Sequence, residues 1–182
     1  MDNHQLINQN SGNVEWFTPR LIVAVAKQLM GVITLDPACS AKAFDYQGEH
    51  SEAYYYEKGL SLMWWGNVWL NPPFGSMTTG WVHKLVCAYD NGDVKQACCI
   101  TFNSTETDWG QMLLQYPQFF FKRRVNYISL DRDGNAKPSG STKGSIFTYL
   151  PPKDETGYFN YNLALVRLQN AMSNEGFKGV VK

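Results

Sequence analysis

No stretch of this chain is apolar for the length of a membrane span. The longest strongly apolar run, Leu21 to Met30, is interrupted by Lys27 and Gln28, and it is half the ~20 residues a spanning helix needs. An excess of one charge is missing too. Sixteen Lys+Arg balance sixteen Asp+Glu across 182 residues, so the formal net charge is zero. That argues against a protein that coats nucleic acid by charge alone, while leaving room for a nucleic-acid enzyme with a local basic rim. Cysteine and histidine are scarce: Cys39, Cys87, Cys98 and Cys99, with His4, His50 and His83. They form no C-x-x-C and no zinc spacing, so neither a disulfide framework nor a structural metal is expected. Cys98 and Cys99 lie inside an apolar run and read as buried thiols. The segment Met1 to Asn13 is polar and amide-rich; it has neither the basic n-region nor the apolar h-region of a signal peptide. The expected address is the cytoplasm.

What the chain has in quantity is apolar and aromatic side chains, 44% and 14% of residues against 18% charged. Such a composition is too hydrophobic for wholesale disorder. The length suits one domain burying roughly 70% of the surface its unfolded form exposes. The expected organisation is a polar leader over residues 1–13 and a single domain over 14–182.

Ile22, Val25, Ala26 and Leu29 recur at helical spacing after Thr18 and Pro19, which read as an N-cap and a first-turn proline. Val32, Ile33 and Leu35 form a short apolar run that stops at Asp36-Pro37. A stronger strand, Asn67 to Leu70, stops at Asn71-Pro72-Pro73-Phe74-Gly75. Helices are expected over Thr79–Tyr89 and Thr105–Gln115, and Tyr161–Met172 reads as a helix or as a final strand plus helix. Further strands are expected over Ala97–Phe102, Phe119–Phe121, Val125–Leu130 and Ser145–Leu150. Asp131 to Asn135 reads as a turn and Lys137 to Gly144 as a loop. Ser40 to Tyr56 has no assignable pattern.

The early strands lack period-2 alternation, which is the mark of strands covered on both faces. The expected fold is α/β: a mostly parallel sheet with an antiparallel edge and helices on both faces. Doubly wound sheets place ligands at the carboxyl ends of their strands. Two strands here end in unusual polar turns, at Asp36 and at Asn71.

Asn71-Pro72-Pro73-Phe74 suits one task well. Consecutive prolines fix φ and remove two backbone donors, leaving carbonyl acceptors on a stiff, extended loop. The Asn71 side-chain oxygen and the Pro72 carbonyl can accept both hydrogens of one exocyclic NH2 group. Phe74 offers a flat face to a planar ring. Acceptors placed off the ring plane localise the nitrogen lone pair and make it nucleophilic. That chemistry needs neither a cationic general acid nor a metal.

These residues resemble the [D/N/S]-P-P-[Y/F/W] motif of S-adenosylmethionine-dependent amino-methyltransferases. The wider arrangement resembles the phage-type DNA N6-adenine methyltransferase (Dam-like) family. Trp16-Phe17-Thr18-Pro19 matches its Trp-x-Thr-Pro, and Leu35-Asp36-Pro37-Ala38 its Leu-Asp-x-Ala. Gly59-Leu60 and Trp64 or Trp65 match a Gly-Leu and a Trp ahead of the loop Val68 to Gly75. Thr105 to Trp109 and Arg124 to Ile128 match later elements, so the likeness covers residues 14–150. It implies a class I methyltransferase (Rossmann-like) fold and transfer of a methyl group to adenine N6 in DNA. The chain has no insert large enough for a separate target-recognition domain, so short, weak or no sequence specificity is expected, or recognition borrowed from a dimer partner. Asn71, Pro72, Pro73 and Phe74 would be catalytic. Trp16, Thr18, Pro19, Asp36, Pro37 and Ala38 would hold S-adenosylmethionine, with Asp36 on its ammonium. Phage or prophage origin, and hence the cytoplasm of a bacterial host, follows from the family alone.

Two departures stand out. No glycine-rich loop follows Asp36, and Lys58 stands where the family has an acid, with Glu57 one position away. A ribose-binding acid is expected between Ser40 and Glu57, with Asp45, Glu49 and Glu52 as candidates. Lys122, Arg123, Arg124, Lys137 and Lys143 are candidates for touching DNA phosphates, and a duplex target base would have to be flipped out. The same loop could serve cytosine N4, RNA or a protein glutamine, and a non-catalytic DNA- or protein-binding relative is the alternative class. No membrane partner is expected, and the assembly is a monomer or homodimer.

Overall fold

A computed structural model describes residues 16–130, 135–141 and 143–182. The expected leader and all but Asn135 of the expected turn lie outside these residues. Helix α1 (Arg20–Met30) leads into β1 (Leu35–Asp36); α2 (Ala41–Gln47) joins β1 to β2 (Ala53–Tyr54), a segment without a helix leads to β3 (Gly66–Leu70), and α3 (Thr78–Asp90) joins β3 to β4 (Val94–Phe102). Helix α4 (Asp108–Leu113) then leads to β5 (Gln118–Phe121), β6 (Asn126–Leu130), β7 (Ala136–Gly140) and β8 (Ser145–Leu150), and the chain ends with α5 (Tyr161–Asn174) and β9 (Gly179–Val181).

Seven of these strands form one sheet in the order β2-β1-β3-β4-β8-β5-β9. The first four are mutually parallel, and the remaining neighbours pair antiparallel. Because β5 is two reversals away from β4, it points with the parallel set. The carboxyl ends of β1, β2, β3, β4 and β5 therefore share one edge. The chain leaves β1 toward β2 on one side and β3 toward β4 on the other, so β1 and β3 flank a switch point of the kind that opens a crevice.

The lack of alternation in the strands has a direct cause. Trp69, Cys98, Ile100, Phe147 and Tyr149 pack with α1 and α5 on one face. Val68, Leu70, Ala97, Cys99 and Leu150 pack with α3 and α4 on the other. Cys98 and Cys99 thus enter different cores as free thiols. Within α1, Ile22, Val25, Ala26 and Leu29 are buried, and Gly31, at φ 76°, ends the helix with its N–H on the Lys27 carbonyl.

Some local expectations move. Pro19 occupies the N-cap position of α1 and no side chain caps it, so Thr18 is not a capping residue. Helix α4 starts later than expected, at Asp108, because Thr107 accepts from the Gly110 N–H at 3.1 Å. The Ser40–Tyr56 segment folds as α2 and β2, with Ser40 capping α2 through Ala43 N–H. Part of the expected loop after Lys137 is strand: β7 pairs antiparallel with β6, since backbone pairing overrides its Pro/Ser/Gly composition. No helix among the described residues is long and apolar enough to cross a membrane.

Candidate functional site

A cavity of about 290 Å³ opens at the switch point. Its walls are the turn after β1, the segment after β2, the loop after β3 and the strand-like entry at residues 16–18. Trp16, Thr18, Asp36, Pro37, Ala38, Asn71, Pro72, Pro73 and Phe74 all line it. Pro19, beside Thr18, does not line it.

Asn71 follows directly on β3, and the two prolines stop the ladder there. The Pro73 carbonyl accepts from the Thr78 hydroxyl at 3.1 Å, which ties the loop to the first turn of α3. Asn71 Nδ2 donates to the Trp16 carbonyl at 3.3 Å. Rotating the amide would set two acceptors against each other, so this bond decides which atom points away. That atom, Oδ1, is buried and has no hydrogen-bond partner. A buried acceptor left unpaired in this way costs roughly 1–3 kcal/mol. The Thr18 hydroxyl, on the same cavity, is buried and unpaired as well. Asn71 and Thr18 both line this crevice, and each keeps a buried polar atom without a partner, an arrangement that calls for an explanation.

Phe74 is half-buried. Its ring stacks on Phe102 with centroids 4.0 Å apart and meets Tyr127 edge-on at 5.6 Å. The ring is therefore held firmly on one side while still lining the cavity.

Asp36, at the end of β1, is only 6% exposed. Its Oδ1 accepts from Ala38 N–H at 3.1 Å in an Asx turn, and its Oδ2 lies 2.8 Å from His50 Nε2. Cys39 is close by: one ligand atom each from Asp36, Cys39 and His50 lie within 4.8 Å of one another. The sequence spacing of these residues did not announce that cluster. Burial, and next the Asp36 charge, push the Cys39 thiol well above its ordinary range, so it remains protonated at neutral pH.

The segment after β2 supplies the remaining wall. Glu57 and Lys58 both line the cavity, and Lys58 adopts a left-handed φ of 56°. Gly59 is required here, since a Cβ would run into the Pro37 carbonyl. Its own carbonyl accepts from Trp64 Nε1 at 2.7 Å. Lys84 spans from α3 to the carbonyls of Leu60 and Leu62 at 2.6 and 2.5 Å, and burial lowers its pKa. The opposite wall is braced by α2, whose Gln47 donates to the Thr18 carbonyl.

No protein-family model and no curated protein matches the chain. What the site can do is therefore decided by its own chemistry. It offers a buried carboxylate for a cation, an unpaired acceptor for an N–H group, and a ring face for a flat partner.

The acids expected to hold a ribose do not converge on this cavity. Glu49 and Glu52 line a separate cavity of about 550 Å³ with His50 and Tyr54, and Asp45 is exposed. Glu57 is the acid that reaches the main site, because it follows the carboxyl end of β2. The basic candidates stay outside the cavity. Lys122, Arg123, Arg124, Lys137 and Lys143 are all exposed. Lys122 to Arg124 follow β5 on the same sheet edge, and Arg124 donates to the Ser141 carbonyl at 3.4 Å. Lys143 lies 5.9 Å over the Phe102 ring, next to the aromatic stack that carries Phe74. The β6–β7 pair is docked to the cavity wall by the bridge between Phe17 and Ile128.

His50, Gln47 and Cys39 escaped the sequence reading as site residues. Their side chains are ordinary core or helix residues in one dimension. The only signal was the position of Cys39 in the polar turn after β1.

Proposed function

We propose that this protein is a class I methyltransferase that methylates the N6 amino group of adenine in DNA, with S-adenosylmethionine as methyl donor. The observation that carries the reading is the unpaired Asn71 Oδ1, buried on the cavity wall with its amide orientation set by Trp16. An orphaned acceptor at the start of Asn71-Pro72-Pro73-Phe74 is what an enzyme gripping an amino group requires. The sheet agrees in kind, with a parallel half, an antiparallel half and the cavity at the switch point.

The residues present fit the cofactor. Asp36 would take its ammonium, and Thr18 lines the same cavity. Glu57, about 20 residues beyond Asp36 and just after β2, stands where doubly wound folds place the acid that binds a ribose. A cavity of about 290 Å³ lies just below the range of ordinary ligand pockets, roughly 300–1,000 Å³. When bound, the cofactor supplies an electrophilic methyl carbon on a sulfonium sulfur.

The chain's own part is positioning. Asn71 Oδ1 and the Pro72 carbonyl accept from the adenine amino group and draw its lone pair out of the ring. Phe74, braced by Phe102, holds the base plane. Once the nitrogen carries a fourth bond it is strongly acidic, and its surplus proton passes to water, so no dedicated base is needed. Preorganised acceptors of this kind do their work without rearranging during the reaction. A duplex base reaches the loop by flipping, with the exposed lysines and arginines of the sheet edge on phosphates.

The test is transfer of tritiated methyl from S-adenosylmethionine to unmethylated DNA, followed by nucleoside analysis. Label in N6-methyladenine is the expected result. Label in N4-methylcytosine, RNA or protein would move the substrate, and cofactor binding without any transfer would make the protein a binding module.

A further inference from the structure

The pair formed by Asp36 and His50 has a sidedness that the cavity alone does not explain. Asp36 lines the main cavity, whereas His50 does not; it lines the separate cavity behind the sheet edge. The imidazole is 4% exposed and reaches Asp36 Oδ2 at 2.8 Å from that rear side. A carboxylate can only accept, so Nε2 carries the hydrogen. The other ring nitrogen lies 3.1 Å from the Gly48 carbonyl. Gly48 itself closes α2 at φ 70°, with its N–H on the Phe44 carbonyl. One carboxylate oxygen is thus held by the Ala38 N–H and the other by His50, which leaves each a further lone pair on a residue that lines the cavity.

We propose that His50 is a positioning residue: through Nε2 it fixes the Asp36 carboxylate so that it meets the ammonium of an amino-acid ligand at the end of β1. The proposal rests on the cofactor reading above and deepens it. A histidine that orients the charged ligand of another group from behind is a familiar physical device, because a hydrogen bond to an ionised acceptor is both strong and directional. The consequence is selective. His50 matters to ligands that carry the ammonium and is indifferent to ligands that lack it.

Two substitutions separate the roles of the two ring nitrogens. His50→Gln places an amide N–H near the position of Nε2 and keeps the bond to Asp36. His50→Asn keeps an amide near Nδ1, against the Gly48 carbonyl, and is too short to reach Asp36. Calorimetry is run with S-adenosylhomocysteine, which has the amino-acid end, and with 5′-methylthioadenosine, which lacks it. In His50→Asn, S-adenosylhomocysteine is expected to bind about tenfold to a hundredfold more weakly, the range for removing one charge-assisted hydrogen bond. 5′-Methylthioadenosine is expected to stay within about twofold in the same variant, which also reports a folded site, and His50→Gln is expected to recover most of the loss.

Equal weakening of both ligands would overturn the proposal and leave His50 a packing residue. Unchanged binding of both in His50→Asn would overturn it as well. So would one tightly held zinc per chain that is lost in His50→Gln and in Cys39→Ser, since Nε2 would then be a metal ligand. Wild-type protein that binds neither adenosine ligand sinks the cofactor reading itself, a result distinct from all of these.

Discussion

In the parallel half of the sheet, the segments after β1, β2 and β3 each line the cavity. In the antiparallel half, the segment after β5 carries Lys122, Arg123 and Arg124 to the same edge yet does not line that cavity. Both halves are equally buried at their centres, with Val68 and Leu70 matched by Phe147 and Leu150 at 0% exposure. The difference lies in how strands are connected. Parallel neighbours require crossovers, and crossovers that depart to opposite faces leave a gap between them. Antiparallel neighbours close that gap and give a rim. A polar group in the crevice can be left unpaired until a ligand arrives, whereas a charge on the rim is always solvated.

The sharpest way to break this contrast is Asn71→Ala. Methyl transfer is expected to fall about a hundred- to thousandfold, the scale for removing one preorganised group. S-Adenosylhomocysteine affinity is expected to remain within about twofold. Tritium transfer and calorimetry read the two quantities, and undiminished transfer would strip Asn71 of its role.

Phe74 gives a smaller effect of the same kind. Phe74→Ala is expected to lower transfer to DNA about tenfold to a hundredfold, as when one base–aromatic stack is removed, while Phe74→Tyr keeps most of it. Steady-state kinetics with varied DNA concentration separates this from a folding defect.

Glycines sharpen the comparison in stability rather than activity. Gly59→Ala drives a Cβ into the Pro37 carbonyl and is expected to cost about 1–3 kcal/mol. Gly144→Ala, on the antiparallel side, meets only the Asn103 Cβ at 3.8 Å and is expected to stay within ~0.5 kcal/mol. Denaturant melts of the two variants should differ accordingly; equal midpoints would mean that the close approach at Gly59 relaxes freely.

The smallest expected effect belongs to single rim charges. Lys122→Gln, Arg123→Gln and Arg124→Gln should each weaken DNA binding regardless of sequence. Each should also make the slope of log affinity against log salt shallower by about one, because one fewer phosphate is neutralised. A slope unchanged in all three would move the DNA path off this edge.

How far each residue could be read in advance follows from the range of the interaction that gives it meaning. Asn71 to Phe74 and Asp36 were visible because proline and polar turn chemistry act on their immediate neighbours. Helix α1 was visible from its period, although its cap was not: Thr18 had the right residue type, but Pro19 holds the N-cap position and the Thr18 hydroxyl is buried without a partner. Strand β7 was hidden by a composition that local rules assign to loops, since its pairing with β6 is not a local property. Glu57 was noticed only as the acid beside Lys58, while Asp45, Glu49 and Glu52 were read as the ribose candidates, because which acid lines the crevice depends on where β2 ends. His50 was unreadable as a site residue for the same reason.

The amino-acid sequence by itself determined the α/β architecture, the doubly covered strands and the two polar turns, because periodicity, burial and proline geometry act within a few residues. Only the tertiary structure decided that those turns meet across a switch point, that Glu57 joins them, and that His50 stands behind Asp36. Those are juxtapositions of segments far apart along the chain, and only the packing of helices on both faces of the sheet brings them together.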